Sequence, residues 1–279
     1  MIPLMKSARI ILNCSALAIR IFFAGALAAA VAAAACGGGR GAPARPTVRI
    51  AAASDLNAAM GDAIARFSAG RPIDVSVSYG SSGAFYAQIL NGAPFDLFFS
   101  ADAEYPRQLT ARGLARPGGD FVYAIGRLVV WVTRESPIDV ERGGLRALDA
   151  PSVAHVAIAN AEHAPYGRAA LAALRSAGLE ERLRPKLVFG ESVAQALQFA
   201  QTGAADAAIV ARSLVSAPAL EDRGRWADVP AEAYPRLEQR GVVLDRAASP
   251  DAARAFREFI LSAEGRAILA RYGFLLPGA

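Results

Sequence analysis

From Val48 onward the chain repeats one device: a short apolar run, then a small polar or glycine-containing turn, then a stretch with helical periodicity. TVRIAAA (47–53), IDVSVSY (73–79), FDLFFS (95–100), VAHVAIA (153–159), KLVFG (186–190) and DAAIV (206–210) read as strands. LNAAMGDAIARFSA, AFYAQILNGA, RAALAALRSAG and VAQALQFAQTG read as helices that follow such strands. This alternation is the signature of an α/β architecture, in which parallel strands are joined by helical crossovers that cover the sheet. A length of 279 residues, 54% hydrophobic and 20% charged, allows one large domain or two smaller ones. The longest apolar run, FVYAIGRLVVWVT (121–133), is expected to cross between two lobes, and GVVL (241–244) to be a second crossing. Two helical stretches, DAARAFREFILS and AEGRAILARYG, close the chain.

The first 35 residues have a different character. A basic segment carrying Lys6, Arg9 and Arg20 leads into the uncharged run IFFAGALAAAVAAAA (21–35), the pattern of an export signal. That run is too short and too alanine-rich for a membrane span. Cys36 follows, then GGGRGAPARP, so that residues 36–46 resemble the acylated cysteine and Gly/Pro-rich tether of a bacterial lipoprotein. Simple cleavage nearby is the other reading, because the AAAC motif is degenerate. Both readings place the folded body outside the cytoplasm. Much of the formal charge of +5 belongs to this segment, which has no acid; the remaining arginines are scattered, against a nucleic-acid groove.

Four strands end in turns that open helices: at Ser54, at Ser81-Ser82, at Pro165-Tyr166-Gly167 and at Ser192-Val193. Each turn alone reads as a helix cap. Together they would bring unpaired N–H groups and partial positive charge to one edge of the sheets, where open α/β folds bind ligands. The result is an anion cage built only of donors. A fully deprotonated oxyanion suits such a cage, whereas protonated phosphate would need an acceptor. Asp55, the one acidic residue beside the cage, is expected to face solvent as a first-turn carboxylate; facing inward it would be an acceptor and would reopen phosphate as the ligand.

AAASDLNAAM, SYGSSGAFYAQILNGAPFDLFFSAD, NAEHAPYGRAALAAL and the C-terminal RYGF together resemble the periplasmic molybdate-binding proteins of molybdenum ABC importers, from about Val48 to about Phe274. The resemblance implies a type II periplasmic binding protein fold: two α/β lobes, each a mixed, mostly parallel sheet flanked by helices, joined by two crossing strands. Carried onto this chain, one lobe would be 47–124 with 241–279, and the other 125–240. It implies that the hydroxyls and N–H groups of Ser54 and Ser82 hold the oxyanion from one lobe, and the N–H groups of Tyr166 and Val193 from the other. Ser81 would support them. Many family members carry a tyrosine after the strand matching DAAIV; this chain has Ala211 there, and Ser213, a water or a nearby amide would replace the lost donor. The implied ligand is molybdate or tungstate, with molybdenum present only as the oxyanion, no cofactor, a membrane permease as partner and a monomeric protein. The remaining readings are a binding protein for sulfate, phosphate or an organic acid, and, from another class, a serine hydrolase.

No G-x-S-x-G elbow and no Gly-rich phosphate loop supports catalysis. Cys36 is the only cysteine after the signal, and the two histidines, His155 and His163, lack metal-ligand spacing. His155 is expected as a core or strand-edge residue, and His163 as a loop residue near the cage. Trp131 and Trp226 read as packing residues.

Overall fold

The computed structural model describes residues 45–278, so the expectations for the export signal, Cys36 and most of the tether lie outside the described residues. The chain runs through β1 (Thr47–Ala53), a 3-10 turn at Ser54–Leu56, α1 (Asn57–Ser68), β2 (Asp74–Gly80), α2 (Ser82–Leu90), β3 (Leu97–Ser100), α3 (Glu104–Ala111) and β4 (Ala115–Gly126). It continues with β5 (Leu128–Thr133), α4 (Val140–Gly143), β6 (Val156–Ala159), α5 (Pro165–Ser176), α6 (Glu180–Leu183) and β7 (Leu187–Gly190). Then come α7 (Val193–Gln201), β8 (Ala207–Ala211), α8 (Arg212–Val215), β9 (Gly224–Asp228), β10 (Leu237–Leu244), α9 (Pro250–Leu261) and α10 (Ala263–Arg271).

Two five-stranded sheets result, ordered β2-β1-β3-β10-β4 and β7-β6-β8-β5-β9. In the first, β1 lies parallel to β2 and β3, and β10 runs antiparallel to β3 and β4. In the second, β6 lies parallel to β7 and β8, and β5 runs antiparallel to β8 and β9. Each sheet is therefore mixed, with the same order of parallel and returning strands. The long apolar run 121–133 divides at Arg127, β4 staying in the first sheet and β5 in the second. GVVL, expected as a crossing, lies wholly inside the first sheet as the end of β10, and the chain returns upstream of it, between Asp228 and Leu237. Apolarity marked that run as buried, and burial between β3 and β4 explains it as well as a crossing would.

The helices form where apolar residues recur on one face. In α1 the buried positions are Ala59, Met60, Ala63 and Phe67, one stripe laid on the first sheet. Phe67 meets Phe256 of α9 edge-on at 5.0 Å, and Phe99 meets Tyr123 at 5.1 Å, giving that half an aromatic centre. In the second half Trp131 is fully buried on β5, opposite Trp226 of β9. Trp226 is only partly buried and stacks under the Arg212 guanidinium at 3.6 Å. His155 sits exposed at the entry to β6, its N–H donating to Asp206 Oδ2 at 2.8 Å.

Candidate functional site

The parallel strands β1, β2 and β6 each deliver a turn to the space between the two sheets, where their carboxyl ends face one another, and β7 adds a fourth. One small cavity lies there, and Ser54, Ser81, Ser82, Tyr166 and Val193 all line it. It is small, with about 190 Å³ of space between its walls counted out to open solvent. Backbone N–H groups in the first turns of α2, α5 and α7 have no intrahelical acceptor by position, so each turn supplies donors and a positive helix end.

The serines divide into two roles. Ser81 is the N-cap of α2, its Oγ accepting from Ala84 N at 3.4 Å, and Ser192 caps α7 in the same way through Gln195 N at 3.3 Å. Ser82 Oγ accepts from Ala101 N at 2.9 Å, and Ser54 Oγ accepts from Ala194 N at 3.2 Å. Because each of these two hydroxyls already accepts, its own hydrogen remains to be donated to a ligand.

Ala211 and Ser213 are not among the cavity-lining residues. Ala211 is buried at the end of β8 opposite Leu128, and the Ser213 hydroxyl donates to the Asp55 carbonyl at 2.8 Å. Ser213 is thus committed to joining the two halves and does not stand in for a missing donor.

Asp55 departs most from expectation. It does not face solvent but is 1% exposed and lines the cavity. The 3-10 turn after β1 turns its side chain toward β10, where Gln239 Nε2 donates to Oδ2 at 2.5 Å and also to the Tyr166 hydroxyl at 3.1 Å. Oδ1 and Gln239 Oε1 are buried without a partner. Burial pushes the Asp55 carboxyl up to about 6, and hydrogen bonds from Gln239 and Tyr166 oppose that rise. Burial likewise pushes the Tyr166 and Tyr123 phenols well above their ordinary range, with the Asp55 charge adding to it.

The two halves meet through further direct bonds. Gly83 N donates to the His163 carbonyl at 2.8 Å, and Arg168 Nη2 reaches Asp102 Oδ2 at 2.6 Å. His163 Nε2 lies 3.2 Å from the Glu191 carbonyl, steadying one turn against the next. Among the described residues, no group of three or more His, Cys, Asp or Glu could hold a metal ion.

Residues 48–275 match the family model for bacterial extracellular solute-binding proteins. The chain belongs to this family. The molybdate-binding protein ModA of Rhodobacter capsulatus is 40% identical over 201 residues, 72% of this chain and 77% of that protein. ModA of Azotobacter vinelandii is 35% identical over 227 residues, covering 81% of this chain and 89% of the relative. The solved Azotobacter vinelandii periplasmic molybdate-binding protein superposes with a TM-score of 0.78 at 33% identity, over 82% of this chain and 99% of that one. The family fixes the class of activity: this is a binding protein that works outside the cytoplasm, with the two-lobed periplasmic fold, and it is not an enzyme.

Proposed function

We propose that this protein captures molybdate, and tungstate with it, outside the cytoplasm and delivers it to an ABC transporter permease. The observation that carries the reading is the cavity itself, where donor-bearing turns from both sheets converge and no Lys or Arg side chain contributes to the lining. Such a site suits a compact, fully deprotonated tetrahedral dianion, whereas an organic acid calls for an arginine fork that is absent from the lining. The Ser54 and Ser82 hydroxyls and N–H groups hold the oxyanion from one half, and the Tyr166 and Val193 N–H groups from the other. Molybdenum enters only as the oxyanion, with no protein atom bonded to the metal and no cofactor. A ligand gripped from both sides favours the closed arrangement by its differential affinity, with hinges at Arg127 and at residues 229–236. The closed monomer, tethered through lipidated Cys36, then presents its surface to the permease.

Calorimetric titration of Ser54→Ala and Ser82→Ala with molybdate tests this reading. A hydrogen bond to a charged group contributes about 1.5–3 kcal/mol, so each substitution is expected to weaken binding roughly ten- to a hundredfold. Unchanged affinity in both variants would remove the anion from this cavity.

A further inference from the structure

The cage carries one group that a donor-only site does not require. Asp55 is buried on the cavity wall, its Oδ2 is taken up by Gln239, and its Oδ1 has no partner. An ionised carboxylate there would stand beside a dianion in a water-poor space. The groups facing it offer no countercharge. β10 contributes the Gln239 amide, α5 the Tyr166 phenol, the 3-10 turn its own Asp55 and Leu56 N–H groups, and β4 the Tyr123 phenol, all of them neutral, while the Ser213 hydroxyl of α8 bonds only the Asp55 backbone carbonyl. Both phenols are neutral across the physiological range. Rotation away from the anion is blocked, because Gln239 Nε2 ties Oδ2 and the Tyr166 hydroxyl together. The least costly arrangement is the neutral acid, with Oδ2 remaining the acceptor for Gln239 and the hydrogen on the unpartnered Oδ1.

We propose that Asp55 is the proton-bearing ligand of the site: as the neutral acid it donates from Oδ1 to an oxygen of the bound oxyanion, so that capture of the dianion takes up one proton from solvent. This rests on the function proposed above and adds to it a specificity device. A site with a built-in acid accepts a dianion that brings no proton and meets a hydrogen-bearing anion with one donor too many.

The sign follows from linkage. With the carboxyl at about 6 before the anion enters, and higher once a dianion sits beside it, the contribution is complete below pH 6. Affinity then falls about tenfold per pH unit above 6, until the pH passes the value in the complex.

The test is calorimetric titration with sodium molybdate between pH 6.5 and 8.5, repeated at pH 8 in buffers of different ionisation enthalpy. The expected result for the native protein is uptake of close to one proton at pH 8 and a Kd that rises by up to about a hundredfold across the range. Asp55→Asn keeps a neutral donor, and is expected to bind with no proton uptake and a flat pH profile. Molybdate binding by the native protein with a flat profile and no proton uptake would overturn the proposal and leave the proposed function standing. So would binding of inorganic phosphate that Asp55→Asn abolishes, since the carboxylate would then be an acceptor. Should Asp55→Asn fail to fold, the proton count on the native protein decides alone. Failure of the native protein to bind molybdate at any pH would defeat the functional reading itself.

Discussion

Gly83→Ala is expected to weaken anion binding about ten- to a hundredfold while leaving the folded protein as stable as before. A Cβ at position 83 would stand 2.6 Å from the His163 carbonyl oxygen, 2.6 Å from the Tyr105 hydroxyl and 2.8 Å from His163 Cβ. Tyr105 is a flexible side chain on the same half and can shift. His163 belongs to the turn before α5, on the opposite half, and its backbone cannot yield without moving that turn out of the cavity wall. The methyl therefore acts as a wedge that is harmless when the halves are apart and clashes when they close. Overpacking of this kind costs roughly 1–3 kcal/mol, and here the cost falls on the closed state alone, giving about a ten- to a hundredfold rise in the Kd for molybdate. In the anion-free protein, alanine within the first turn of α2 is a better helix former than glycine, so the melting temperature holds or rises slightly. Native affinity in Gly83→Ala would mean that the arrangement described here is not the one that grips the anion.

The second large effect is on stability. Gly224 opens β9 against the face of Trp131, and a Cβ there would lie 2.1 Å from the indole Nε1 and 2.2 Å from Cε2. Trp131 is buried in the centre of the second half and has no space to retreat into. Gly224→Ala is expected to cost about 3 kcal/mol, at the upper end for an overpacked core, lowering the melting temperature by roughly 6–12 °C for a body of this size. Adding Trp131→Phe, which shrinks the ring at the point of collision, is expected to recover part of that loss. The two substitutions are in contact and their effects should not add. Thermal melts of the two single variants and the pair measure this, and additive losses would show that the steric account of Gly224 is wrong.

What was legible in the sequence follows the distance over which each feature is encoded. The strand TVRIAAA, the serine pair and the four helix-opening turns are local patterns, and β1 begins and ends where its apolar run does. The turns at Ser54, Ser82, Tyr166 and Val193 could be set on one edge because parallel strands flanked by helices leave no other place for them. Features made by pairing remote segments were not legible. Asp55 reads as a solvent-facing first-turn acid until β10 brings Gln239, 184 residues away, against it. The contact between Arg168 and Asp102 spans 66 residues and depends on how the two halves meet. The beginning of β10 lies in LEQR, whose polar residues hide a strand that is held by hydrogen bonds to β4 as far as Leu237. Ser213 looked like a substitute donor because it stands two residues after Ala211, but α8 turns its hydroxyl onto the Asp55 carbonyl. Ala211, at the end of β8, is not among the cavity-lining residues, and Asp55 is the polar group found there in addition to the predicted donors.

A donor-lined cavity between the two sheets is expected to select molybdate and tungstate. A thermal melt of the protein at pH 6.5, with molybdate, tungstate, sulfate, phosphate or no added anion, tests it most directly. Anion at a thousand times its Kd adds about 4 kcal/mol to the folded state, enough to move the midpoint by several degrees. That shift is expected with molybdate and with tungstate, and none with phosphate. A midpoint unmoved by molybdate and tungstate, or moved only by sulfate or phosphate, would contradict it.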